Sequence, residues 1–86
     1  MLKNTMESAV EDAVEIILKD ERYCGCEQCR YDTMAIALNR IKPHYVVTEK
    51  GVLYAKTSSI DPEFLSFIST EVSIAAELVH AKPRHS

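Results

Sequence analysis

Cys24-Gly25-Cys26-Glu27-Gln28-Cys29-Arg30 contains all three cysteines of this 86-residue chain. Thiolates packed this closely act best as ligands to a single soft or borderline cation such as Zn²⁺. A helix-like pattern precedes the cluster and another follows it, so the cysteines are expected in a short connection, Glu21 to Arg30, with Gly25 allowing a sharp turn between two of them. Tyr23, just ahead of the cluster, is expected to pack rather than to ligate.

Upstream, Met6, Val10, Ala13, Val14, Ile17 and Leu18 recur at three- and four-residue spacing, which places them on one face of a helix from Thr5 to Asp20. Asn4 is its expected N-cap and Glu7 closes a capping box. Downstream, Asp32 is expected to cap a second helix, Thr33 to Ile41, with Met34, Ala37, Leu38 and Ile41 as its apolar stripe and Pro43 as its stop. His44 to Thr48 and Val52 to Lys56 are rich in β-branched residues and flank Glu49-Lys50-Gly51. They predict a β-hairpin whose loop needs positive φ at Gly51. Asp61-Pro62 then opens a third helix that runs to Ala81. Leu65, Ile68, Val72, Ala75 and Val79 form one stripe of that helix, and Phe64, Phe67, Ile74 and Leu78 form part of a second. A helix apolar on two sides exceeds what a chain this small can bury alone, which predicts a dimer interface. The expected fold is therefore mainly α: three helices, a hairpin between the second and third, and a zinc-type cluster between the first and second. Residues 1–86 form one domain in this reading, with 82–86 as a loose tail.

The composition is globular, 47% apolar and 27% charged. The net charge of −3 is unevenly spread: residues 1–29 carry three basic and seven acidic side chains, while Arg30, Arg40, Lys42, Lys50 and Lys56 face only Asp32 and Glu49 over residues 30–56. An anionic ligand would bind in that middle third, although five solvated cations are the simpler account of the charge alone. An acidic chain without a dense basic stripe argues against nucleic acid. No apolar run resembles a signal peptide or a membrane span, and the odd cysteine count fits a reducing compartment, so a soluble cytoplasmic protein is expected.

Leu2-Lys3-Asn4-x-Met6-Glu7, Cys24-x-Cys26-x2-Cys29-Arg30-x-Asp32, Ala35-x-Ala37-Leu38-Asn39-Arg40 and Pro43-x-Tyr45-Val46-Val47-Thr48-x-Lys50-Gly51 occur in that order. In this pattern the chain resembles the late competence development protein ComFB family over residues 2–56. The resemblance implies a mainly helical, dimeric, non-enzymatic bacterial protein with a structural zinc on these cysteines. It also implies a receptor for cyclic di-GMP that signals to an unidentified protein partner in competence, motility or pilus regulation. Members with a four-cysteine site place a further cysteine near the C-terminus, and this chain has none.

Three thiolates leave one position of a tetrahedral zinc open. His80 is the first candidate to fill it, with His85 and His44 behind, and Asp20, Asp32, water or a residue from a second chain remain open. No general-base motif such as HExxH accompanies the cluster, so the metal is read as structural. Cys26-x2-Cys29 alone would also suit a redox pair, but the βαβ setting of thioredoxin-like motifs is not seen. A cyclic dinucleotide wants cations for its phosphates, Arg or Asp for guanine edges and a flat side chain for stacking. Arg30, Asp32, Asn39, Arg40 and Tyr45 supply those types, and Arg40, in the Leu-Asn-Arg signature, is the first choice. Asp32 as a helix cap, Asn39 as a helix end and Tyr45 as core are the plainer alternatives. A second reading is an adaptor whose last helix mediates dimerisation or partner binding, without a small ligand.

Overall fold

The computed structural model describes residues 1–58 and 60–83. Its elements in chain order are β1 (Lys3–Asn4), α1 (Met6–Ile17), α2 (Glu27–Arg40), β2 (Tyr45–Val46), α3 (Glu49–Ser58) and α4 (Pro62–Ala81). The protein is mainly helical, with four helices among the described residues rather than three, and one small antiparallel sheet in which Lys3 faces Val46 and Asn4 faces Tyr45. Residues 84–86 of the expected tail, His85 included, lie outside the described residues.

α1, α2 and α4 make the core. Val10, Val14, Ala37, Ile41, Ile68, Val72 and Ala75 form its buried cluster, with Met6, Ala13, Ile17, Leu18, Met34, Leu38 and Phe64 packed against it. All three stripes read from the periodicity point inward, apart from Leu65, which is exposed. α1 starts one residue later than expected. Thr5, not Asn4, holds the cap position, with its N–H donating to the His44 carbonyl at 2.8 Å, so the expected capping box of Asn4 with Glu7 is not the helix start. Instead, Asn4 Oδ1 accepts from the Met6 and His44 N–H groups and ties the helix start to the second strand. At its other end α1 tightens: the Lys19 N–H reaches the Ile16 carbonyl and the Asp20 N–H the Ile17 carbonyl, a three-residue pattern that ends helices. Asp20 Oδ1 then accepts from the Arg22 N–H and turns the chain toward the cysteines.

Two expectations are corrected. The second helix begins at Glu27, not Thr33, because the Cys26 sulfur, on extended backbone, accepts the Cys29 N–H as a side-chain N-cap. Asp32 lies inside the helix and accepts from Gln28 Nε2 at 3.0 Å. Thr33 is fully buried, its hydroxyl donating to the Cys29 carbonyl. The hairpin is also absent: β2 pairs with the N-terminal β1, and the expected turn and second strand are the helix α3. Thr48 Oγ1 accepts the Gly51 N–H at 3.0 Å, closing the first turn of that helix. No described glycine has positive φ. What Gly51 supplies is close approach, since a Cβ there would lie 3.0 Å from Val46 Cβ and 3.3 Å from Thr48 Oγ1.

α4 keeps its expected start, with Asp61 accepting the Glu63 N–H and Pro62 in the first turn. By length and composition alone it could cross a membrane. Its buried face, however, is part of the bundle core, and Glu71 and Glu77 on it are paired with Arg40 and Arg22.

Candidate functional site

The α1–α2 connection and the first turn of α2 bring Cys24, Cys26 and Cys29 together. Their sulfurs lie within 4.8 Å of one another, Cys24 and Cys26 exposed and Cys29 buried. On a tetrahedral zinc with Zn–S near 2.3 Å, sulfurs sit about 3.8 Å apart. Small side-chain rotations would close the difference, and three thiolates with one further ligand are a donor set that zinc takes in structural sites. The residues present therefore fit a metal. The Cys29 N–H donating to the Cys26 sulfur lowers the Cys26 thiol below its ordinary value. Burial, with the neighbouring thiols adding to it, pushes the Cys29 thiol up to about 12.

His80 lies beside the cluster without joining the group of close donors. It lines a crevice of about 30 Å³ together with Cys24, Cys29, Tyr23 and Thr33. Its ring meets Tyr23 edge-on, centroids 5.8 Å apart. Tyr23 is buried, as expected of a packing residue, and its hydroxyl donates to Glu77 at 2.5 Å. That hydrogen bond is the main reason its phenol is held above the usual range. Arg22 spans both: it pairs with Glu77 at 2.8 Å and lies over the Tyr23 ring. This network, which fastens the cysteine connection to the end of α4, has no signature in the sequence. Glu77 lies 54 residues after Tyr23 in the chain, and its pairing with Arg22 and Tyr23 follows from how α4 packs.

The five candidate ligand residues fall into two groups. Arg30 and Asp32 lie near the cysteines, with Arg30 paired to Glu15 at 3.3 Å. Asn39 and Arg40 lie at the far end of α2, ten residues on, or about 15 Å along the axis. Both are exposed, and so is Tyr45, which is not core. Arg40 Nε holds Glu71 Oε2 at 2.8 Å, and the Glu71 side chain is only 17% exposed. Glu71 stands on α4 between Phe67, Ile74 and Leu78, which repeat at seven and four residues and are all solvent-facing. The Arg40 guanidinium is thus anchored in the middle of an uncovered apolar stripe.

A larger cleft of about 390 Å³ opens among α1, α3 and α4, lined by Met6, Ala13, Ile17, Val52, Phe64 and Ile68 among others. None of the candidate residues lines it. It exists because α3 stands off the core, which a strand reading of residues 52–56 could not show.

The model of the family described as late competence development protein ComFB matches residues 3–83. The chain is 28% identical over 78 residues to the competence protein ComFB of Bacillus subtilis (strain 168), covering 80% of each chain. The solved structure of the late competence protein ComFB from Bacillus subtilis superposes with a TM-score of 0.86 at 25% identity, covering 98% of this chain and 96% of that one.

Proposed function

The chain belongs to the ComFB family, and from that premise we propose that it is a non-enzymatic regulatory module, a dimer that binds cyclic di-GMP and passes the signal to a protein partner. The observation that carries this reading is the placement of Arg40. Its guanidinium is fixed by the poorly exposed Glu71 at the centre of an apolar stripe on α4. A fixed guanidinium presents its remaining N–H groups to a phosphate or a guanine edge at little entropic cost. If two copies meet along Phe67, Ile74 and Leu78, the dyad brings two such arginines to one symmetric ligand, and a cyclic dinucleotide carries two equivalent phosphates and two equivalent bases. Asn39, from the same end of α2, would then supply hydrogen bonds, and Tyr45, in β2 five residues beyond Arg40, the stacking surface. Arg30 and Asp32, about 15 Å away, belong to the cysteine end and have the weaker claim.

In this reading Cys24, Cys26 and Cys29 hold a structural zinc with His80 as the nearest protein candidate for the fourth position. When bound, the ion would stabilise a small fold directly. Ligand binding would act by favouring one of two arrangements of the dimer or of its partner surface, in a cytoplasmic protein. A labelled cyclic di-GMP titrated in fluorescence anisotropy tests the site. Wild-type protein is expected to bind, and Arg40→Ala to lose at least about tenfold in affinity, the scale of a lost charge-assisted hydrogen bond. Equal affinity in the two proteins would remove Arg40 from the site. No binding by either would leave the adaptor reading, in which α4 alone engages partners.

A further inference from the structure

The three thiols that fit a metal lie within 4.8 Å of one another, and two of them share one helical turn. Cys26 stands at the N-cap of α2 and is exposed. Cys29 lies one turn further on, 1% exposed, with its N–H on the Cys26 sulfur at 3.4 Å. The two therefore belong to one helical turn, an outer sulfur over an inner one. A disulfide needs sulfurs about 2.05 Å apart and Cβ atoms about 4 Å apart, and side chains on one turn reach that by rotation. Cys24 lies outside the helix and shares no turn with either.

We infer that Cys26 and Cys29 form a reversible disulfide in the presence of a peroxide, and that this disulfide and a bound metal are alternative states of the same two sulfurs. The metal half of the statement rests on the metal reading given above; the disulfide half does not. Cys26, one of the two exposed sulfurs and the one on the same helical turn as Cys29, attacks one oxygen of hydrogen peroxide. The O–O bond breaks, a sulfenic acid forms on Cys26, and one water leaves with the thiol proton. Cys29 then attacks the Cys26 sulfur; the S–O bond breaks, the S–S bond forms, and the hydroxyl departs as a second water with the proton from Cys29. The two sulfurs give up two electrons and the peroxide takes both. A metal held by the cluster would lose two of its three thiolates in this step, leaving Cys24 and, in the reading above, His80 as too few ligands to retain it.

The test uses the full chain, with zinc content measured before treatment. Hydrogen peroxide is added, released zinc is followed with a chromogenic chelator, and cysteines are mapped by alkylation and mass spectrometry. The expected result is loss of two hydrogen masses, a Cys26–Cys29 link with Cys24 still alkylated, one zinc released per disulfide, and reversal by dithiothreitol. Cys24→Ser is expected to form the same disulfide, whereas Cys29→Ser is expected to stop at a dimedone-reactive Cys26. Three alkylatable thiols after treatment, or a disulfide that includes Cys24, would overturn the inference. Protein that neither contains nor takes up zinc would sink the metal reading, and the mapping on that protein would still decide the disulfide.

Discussion

Cys29 is the residue on which a metal at this site would act most strongly. Buried beneath Cys24 and Cys26, its thiol is pushed up to about 12 and keeps its proton at neutral pH. Ligation requires the thiolate, so metal binding must displace that proton. The sign follows: affinity is weakest at low pH and rises with pH, about tenfold per unit for each proton displaced. Competition against a chelator of known affinity between about pH 6 and pH 8 checks this, and a flat profile would mean the thiols are not the ligands. At this scale the sequence was informative about the cysteines, because their spacing alone brings them together. It misled about Asp32. Helix starts are sought at Ser, Thr, Asp and Asn, and a cysteine sulfur serving as the cap, as Cys26 does, moves the start six residues earlier without any residue that usually marks it.

At the scale of the elements, α1, the interior of α2 and α4 were legible because their apolar residues recur with the helical period and face one core. α3 was not. Val46, Val47, Thr48 and Val52 carry β propensity, and Gly51 suits a hairpin loop; the competing signal, Thr48 as a cap whose hydroxyl oxygen accepts the N–H three residues on, with Glu49 in the first turn, is a plain helix start. None of the residues of α3 whose burial is described is buried, and its first turn is closed by the Thr48 cap with Gly51 against Val46. Thr48→Ala should therefore destabilise α3 by about 1 kcal/mol while leaving the three-helix core intact. Amide hydrogen exchange is expected to accelerate over residues 49–58 and to stay slow around Val72 and Val10. Acceleration spread evenly through α1, α2 and α4 would show that α3 is integral to the core.

Over the whole molecule, the dominant feature is what the fold leaves uncovered. Phe67, Ile74 and Leu78 are 48%, 36% and 51% exposed along one side of the longest helix, the excess apolar face that the double stripe predicts. In the dimer proposed above, Ile74→Asp would place a charge in a desolvated interface. It is expected to convert the protein to monomers in sedimentation velocity while its circular dichroism stays helical. A dimer that persists in this variant would place the contact elsewhere, with the cleft beneath α3 the next surface to consider.

The dimer, Arg40 and the ligand meet in one quantity, the binding stoichiometry. Isothermal titration of the zinc-loaded protein with cyclic di-GMP is therefore the most direct test. The account requires saturable heat at one dinucleotide per two chains, weakened at least about tenfold in Arg40→Ala protein of unchanged helicity. A folded, metal-loaded sample that gives no heat, or one ligand per chain with Arg40→Ala unaffected, would contradict it.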